Sequence, residues 1–182
     1  MNLTGNGMVA ITRDAMGGLR NALMRDMGYA AAGYFQEAGY AGGGALFEAF
    51  CSWLAERGQG APESLSVSDF QHHATEFFRE CGWGSLQVGD LNDTVATLDS
   101  PDWGEATPDA GLDQASCHFS SGMFSDFFGR LSAAPLAVME VECRSAGAER
   151  CRFLLGSTEI MEHVYNAISS GETYEAAVRA AA

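Results

Sequence analysis

Two cysteines beside a short polar turn constrain the fold of this chain more than any other feature. Cys143 and Cys151 flank residues 144–149, and the adjoining segments, 136–143 and 151–155, are rich in Val, Leu and Phe. Such segments favour β-strands, and a short polar turn that contains glycine can join two strands into a hairpin. The sequence therefore predicts a β-hairpin with a cysteine on each side of its turn.

Two more strands and a long helix are predicted before the hairpin. Residues 85–90 and 94–98 have strand composition and are joined around an Asn-Asp pair. Residues 112–131 have the apolar spacing of a helix that carries Cys117 on one side. The intervening segment, 99–111, holds two prolines and four acidic residues without periodicity. We expect it to be a mobile surface loop.

Glycines divide the N-terminal region into three predicted helices, 12–27, 30–38 and 44–56. In the first helix, apolar residues recur at three- and four-residue spacing, which predicts one buried stripe. The stripe consists of Met16, Leu19, Leu23, Met24 and Met27. The remaining predicted helices and their caps are 69–80, after a Ser68 and Gln71 capping box, and two C-terminal helices capped by Ser157 or Thr158 and by Thr173.

Together these elements predict an α+β fold, with helices around a small antiparallel sheet of at most four strands. The chain has 182 residues, of which 47% are hydrophobic, so it can bury one sizeable core. We therefore expect a single domain over residues 1–182.

The charge of the chain narrows the classes of partner. A formal net charge of -14 argues against nucleic acid and against an anionic membrane surface, since both need clustered Lys and Arg. The chain shows neither a secretion signal nor an apolar run long enough to span a bilayer, so we expect a cytoplasmic protein without a membrane partner. Five cysteines, an odd number, make a disulfide framework improbable.

Two interpretations of the cysteines remain open on pattern alone. Cys117, Cys143 and Cys151 can converge if the helix packs across the end of the hairpin, and three thiolates with one carboxylate or His suit zinc. Alternatively, they are buried thiols without a metal. Cys51 and Cys81 have no partner at ligand spacing and are expected to be core thiols.

The stretch from Pro135 to Phe153, with Cys117-His-Phe-Ser-Ser-Gly122 before it, resembles the 4-vinyl reductase domain family. That family includes hydrocarbon-binding, effector-sensing domains of phenol-responsive bacterial activators and proteins linked to bacteriochlorophyll synthesis. Its fold is related to subunits of the TRAPP tethering complex. The resemblance therefore implies a TRAPP-subunit-like fold and a homodimer.

The resemblance also implies a zinc site. In the phenol-sensing members the ligands are a helix Cys, a Glu 23 residues later, a Cys three beyond and a Cys eight further on, and these intervals fall on Cys117, Glu140, Cys143 and Cys151. Residues three apart in a regular strand face opposite sides, so Glu140 and Cys143 need a bulge or a strand end between them. Glu142 is the competing carboxylate. Four protein ligands would make the zinc structural.

An apolar ligand pocket is the second implication of the resemblance. In the phenol sensors a His on the helix before the first strands contacts the effector, and here that helix carries His72 and His73. The strand Trp of those sensors is replaced near Leu91, which puts phenol itself in doubt. With Phe119 and Met123 these residues form the predicted binding site for a small hydrophobic or aromatic molecule.

We find no serine elbow, no dinucleotide fingerprint and no P-loop in the sequence, so we predict no catalytic residues and no enzyme activity. The favoured function is a zinc-containing sensor or carrier domain that signals through a separate partner protein. The alternatives are a protein-protein assembly module of the TRAPP-subunit type and an accessory protein or reductase in tetrapyrrole metabolism.

Overall fold

A computed structural model describes residues 7–181. In that part of the chain six α-helices surround one four-stranded antiparallel sheet of strand order β1-β2-β4-β3, which confirms the predicted fold class. The helices are α1 Arg13–Met27, α2 Ala30–Glu56, α3 Val67–Glu80, α4 His118–Ser132, α5 Thr158–Ser169 and α6 Tyr174–Ala180. The strands are β1 Gln87–Asp90, β2 Ala96–Ser100, β3 Ala137–Glu142 and β4 Cys151–Gly156.

Alternation along β4 separates two apolar cores. Phe153 and Leu155 face a main core built with α2, α3 and α4, whereas Leu154 faces a smaller core under α5 and α6. Successive strand residues point to opposite faces of a sheet, so one strand supplies both cores. The main core is strongly aromatic. Its fully buried rings are Phe50, Phe77, Phe78, Trp103, Phe124, Phe127 and Phe153.

The predicted break between the second and third helices is wrong, because α2 runs unbroken through its glycines. A Cβ on Gly39 would lie 2.0 Å from the main-chain oxygen of Phe119, and one on Gly43 would lie 2.7 Å from Cβ of Asp126. These glycines serve close helix packing, and the backbone of α2 approaches that of α4 because the side chains are missing. Glycine was interpreted as punctuation where it is a contact surface.

The predicted buried stripe of α1 is also wrong. Leu19 is 53% exposed and Met27 is 43% exposed, while Arg20 is the buried residue of the helix among those described. The apolar spacing of α1 is real, but no other described element covers it.

The segment predicted to be a mobile surface loop lies partly in the core. Trp103 is fully buried and stacks on Trp83, with ring centroids 5.5 Å apart, and Glu105 is also buried. The indole N–H of Trp103 donates to Oγ of Ser120, 2.7 Å away, which ties the segment to α4. Proline content and acidity concealed two anchoring residues.

Several predicted boundaries shift. Helix α3 begins at Val67, since Ser66 rather than Ser68 accepts from the N–H of Asp69. Helix α4 begins at His118, later than predicted. Ser157 and Thr173 cap the last two helices as expected. Within residues 7–181, no helix is long and apolar enough to cross a membrane.

Candidate metal centre

The four residues predicted to bind metal meet where the hairpin touches the start of α4. Cys117 is the residue before α4, Glu140 lies on β3, Cys143 follows β3 and Cys151 begins β4. One donor atom from each lies within 4.8 Å of all the others. The cluster is enclosed, since each cysteine is at most 2% exposed and Glu140 is 9% exposed.

The sulfur spacing suits a tetrahedral ion. Sγ of Cys117 lies 3.9 Å from Sγ of Cys143 and 3.9 Å from Sγ of Cys151. Zn–S bonds of about 2.3 Å place two sulfurs of a tetrahedron about 3.8 Å apart. A disulfide needs about 2.05 Å, so these thiols are not bridged.

One oxygen of Glu140 is left for a further partner. Oε2 accepts the main-chain N–H groups of Ser116, at 3.0 Å, and Cys117, at 2.8 Å. Oε1 is buried and has no hydrogen-bond partner among the described residues. A buried carboxylate oxygen without a partner is costly, and a cation bound by the neighbouring sulfurs would satisfy it. The donor set therefore fits a zinc ion.

A bulge in β3 turns Glu140 and Cys143 to the same side. Glu140 pairs with Phe153 and Glu142 pairs with Arg152, so Val141 is an extra residue. Counted along β4, Cys143 stands two positions from Glu140 instead of three, and residues two apart share a face.

The competing carboxylate is occupied elsewhere. Oε2 of Glu142 accepts from Arg150 at 2.9 Å, and Oε1 accepts the hydroxyl of Tyr174 at 2.6 Å. These bonds lower the pKa of Glu142 although burial opposes them. Glu142 thus belongs to the face under α6 and is not part of the cysteine cluster.

Negative charge accumulates in the cluster. Burial, together with the charge of Cys143, raises the pKa of Glu140 to about 8. Hydrogen bonds from the thiols of Cys117 and Cys151 lower the pKa of Cys143. The N-terminal end of α4 adds a positive dipole end at Cys117. The site favours a thiolate and attracts a cation.

A second buried carboxylate at the start of α4 was not predicted from the sequence. Glu105 accepts the main-chain N–H groups of Phe119, at 3.0 Å, and Ser120, at 2.8 Å, and the Ser120 hydroxyl also donates to it. Burial raises the pKa of Glu105 to about 7. Cys117 makes no side-chain cap bond, so Glu105 caps this helix from a distance. No local spacing signals such a cap.

Comparison with known families identifies the segment that carries this cluster. Residues 106–157 match the vinyl-4-reductase domain. The match contains all four donors and confirms the resemblance stated from the sequence. Comparison with curated protein sequences finds no match.

Solved structures share the fold of the chain that carries this vinyl-4-reductase segment. It is similar to the phenol-responsive sensory domain of the transcription activator PoxR with phenol, at TM-score 0.62 and 18% identity, covering 84% of this chain and 77% of that one. It is similar to a vinyl-4-reductase family protein from Methanocaldococcus jannaschii, at TM-score 0.55 and 15% identity, covering 85% and 87%. It is also similar to trafficking protein particle complex subunit 3 from Naegleria fowleri, covalently bound to palmitic acid, at TM-score 0.59 and 11% identity, covering 79% and 91%. These likenesses establish the fold.

A buried arginine ties α1 to the vinyl-4-reductase segment. Arg20 donates to the main-chain oxygen of Glu105 at 3.0 Å, to Oγ1 of Thr107 at 2.9 Å and to Oγ of Ser116 at 3.4 Å. Ser116 in turn lies 3.7 Å from Sγ of Cys143. Helix α1 therefore reaches the metal cluster through two side chains.

The residues predicted to line a ligand pocket lie in different environments. His73 packs on Trp53 and His72 is exposed, while Leu91 lies just after β1 and is 36% exposed. Phe119 stacks on Trp83, and Met123 is buried in the main core. A pocket shared by the five predicted residues stays a prediction.

Two open grooves lie on the other side of α4 from the aromatic core. A groove of about 540 Å³ is bounded by α2, α4 and the chain entering β3, and one of about 320 Å³ adjoins it. Tyr40 and Ser125 line both. Neither groove is lined by a residue of the predicted pocket.

Proposed function

We propose that this protein is a zinc-stapled domain that binds a small hydrophobic molecule and signals through another protein, without catalysing a reaction. The closed set of four donors at Cys117, Glu140, Cys143 and Cys151 carries the proposal. Structural zinc sites use four protein ligands, whereas catalytic ones keep a position for water or substrate. A metal held here has no open position from which to activate a nucleophile.

The zinc supplies a rigid link between the start of α4 and the hairpin. Cys117 sits at one side of that link, and Cys143 and Cys151 sit at the other. A metal that binds only the folded chain adds its binding free energy to folding. The staple therefore stabilises the domain.

Support for sensing comes from the fold and from the groove. The fold is shared with a phenol-responsive sensory domain. The larger groove has the size of a small-molecule site, and it combines apolar residues such as Leu136 with the polar groups of Tyr40 and Arg130. We propose this groove as the place where an aromatic or isoprenoid-like ligand binds.

Thermal shift measurements test the sensing proposal. A panel of phenols, alkylbenzenes and isoprenoid alcohols is titrated into the zinc-loaded protein, and a ligand that prefers the folded state raises Tm. The Tyr40→Ala variant, altered in the groove, should reduce the shift. The His72→Ala variant, altered at an exposed position of α3, should keep it. If no compound raises Tm, the sensing proposal fails while the zinc proposal stands.

A homodimeric assembly role is the second candidate, and exposed apolar side chains favour it. Seven of the large apolar residues that stay exposed lie between residues 9 and 40, and several are on α1 and the first half of α2. Exposed apolar surface of this kind marks interaction sites. The fold is also that of a tethering-complex subunit.

Light scattering across a concentration series tests the assembly candidate. We expect a dimer, and we expect the Leu19→Glu/Met27→Glu variant to be a monomer. Val67→Glu, at an exposed apolar position outside this region, is the control that should remain dimeric. A wild-type mass that stays near 19.3 kDa at high concentration would rule out the homodimer.

A further inference from the structure

Helix α3 carries a second cluster of metal-binding side chains, away from the cysteines. Nε2 of His72 lies 3.4 Å from Oε2 of Glu76, and Nδ1 of His73 lies 3.8 Å from the same oxygen. All three donor atoms lie within 4.8 Å of one another. Among the described residues, this is the second of two groups with such convergence.

Helix geometry brings the three side chains together. His72 is four residues before Glu76, and His73 is three residues before it, which are the two spacings at which helical side chains meet. Zinc binds imidazole nitrogen and carboxylate oxygen at about 2.0–2.2 Å, so neighbouring donors in a tetrahedral site lie about 3.4 Å apart. The observed separations need little adjustment to reach that value.

His73 provides an independent sign of a missing partner. Its side chain is 13% exposed, and its ring packs edge-on against Trp53 with the centroids 6.0 Å apart. Nδ1 is buried and has no hydrogen-bond partner among the residues described. A buried polar atom in that state calls for a ligand, and it faces the carboxylate of Glu76.

Neither nitrogen satisfies Glu76 by a direct hydrogen bond of good length. Good hydrogen bonds between nitrogen and oxygen span about 2.7–3.2 Å, and both separations exceed this range. A cation between the three atoms would be coordinated by both imidazoles and by the carboxylate. Two imidazoles and one carboxylate form a donor set that zinc accepts.

We propose that His72, His73 and Glu76 bind a second zinc ion. Three protein ligands leave a coordination position open, and His72 and Glu76 are largely exposed, so this ion exchanges with solvent. The cysteine cluster is closed and buried, and it holds its metal more tightly. The second site is independent of the proposed sensing function, since it shares none of the groove residues.

Calorimetric titration of Zn²⁺ into protein that already holds zinc at the cysteine cluster tests the proposal. We expect one further equivalent to bind. His72→Ala and Glu76→Gln should each weaken that equivalent by more than the roughly tenfold caused by losing a ligand's hydrogen-bonding partner. His163→Ala, at an exposed helical position outside the cluster, should leave it unchanged.

Copper provides a spectroscopic readout of the same donors. With Cu²⁺ added to the zinc-loaded protein, electron paramagnetic resonance should show hyperfine splitting from two imidazole nitrogens, and from one in His72→Ala. The proposal is overturned if no further equivalent of zinc binds, or if the His72 and Glu76 variants bind it like the wild type. Equal weakening by His163→Ala would indicate an adventitious ion only.

Discussion

Gly122 of α4 lies directly against Gln36 of α2: a Cβ on Gly122 would stand 1.9 Å from the main-chain oxygen of Gln36. Gly39 makes the reciprocal contact, 2.0 Å from the oxygen of Phe119. Helices α2 and α4 are therefore joined backbone to backbone at two glycines. Neither contact leaves room for a methyl group.

Replacing Gly122 by Ala should destabilise the protein by about 3 kcal/mol or more, at or above the upper end of the cost of overpacking, because the obstacle is main chain. Gly42→Ala is the matched control. Gly42 lies in the same glycine run of α2 with open space at its Cβ position, and Ala there should stabilise by about 0.5–1 kcal/mol. Urea unfolding measures both. Similar stabilities for the two variants would contradict the backbone contact.

Cys151→Ser should lose the zinc and a large part of the folding free energy, because three remaining donors hold the staple poorly. Cys51→Ser, which alters a cysteine outside the cluster, should keep both. Elemental analysis and thermal unfolding check the two together. A Cys151→Ser variant with full zinc content and unchanged Tm would show that this cysteine is not a ligand.

Glu140 and Glu142 should respond differently to the same change. Glu140→Gln removes the charged oxygen that faces the sulfurs and should weaken zinc by at least about tenfold in competition with a chelator. Glu142→Gln breaks a partly exposed pair with Arg150, which is worth roughly 1 kcal/mol or less, and should leave zinc affinity unchanged. The reverse pattern would assign the ligand to Glu142.

Glu105 should impose a pH dependence on stability. Its folded pKa of about 7 exceeds the value of 4.5 for an unperturbed Glu, so the folded state holds more protons between those values. Stability from this group is complete below the unfolded pKa and is lost as pH rises through the folded pKa. Between about pH 6 and pH 8 the loss amounts to roughly 1 kcal/mol. Zinc-loaded Glu105→Gln should lack this slope in urea titrations, and an unchanged slope would mean that Glu105 is already ionised at the lower pH.

The parts of the fold predicted from the sequence are those with local signals. The hairpin around Cys143 and Cys151, and the caps at Ser157 and Thr173, depend on turn and capping chemistry within a few residues. The placement of the four metal-centre residues followed from their intervals in a known family. Local spacing alone left the buried-thiol alternative open.

The failures all depend on distant partners. The glycines of α2 look like helix breaks until α4 is placed against them, and Trp103 looks exposed until Ser120 and Trp83 surround it. Glu105 caps a helix that begins 13 residues later. Such contacts have no signature in a window of neighbouring residues, so a single sequence does not reveal them.

The extra residue in β3 changes how relatives of this protein should be aligned. Because Val141 occupies no step of the ladder with β4, the geometry needs two ladder steps between the carboxylate and Cys143, not a fixed number of residues. A relative without the bulge would meet the same need with its glutamate two residues before the cysteine. A search for the metal site by constant spacing would overlook such a chain, whereas a search by strand pairing would find it.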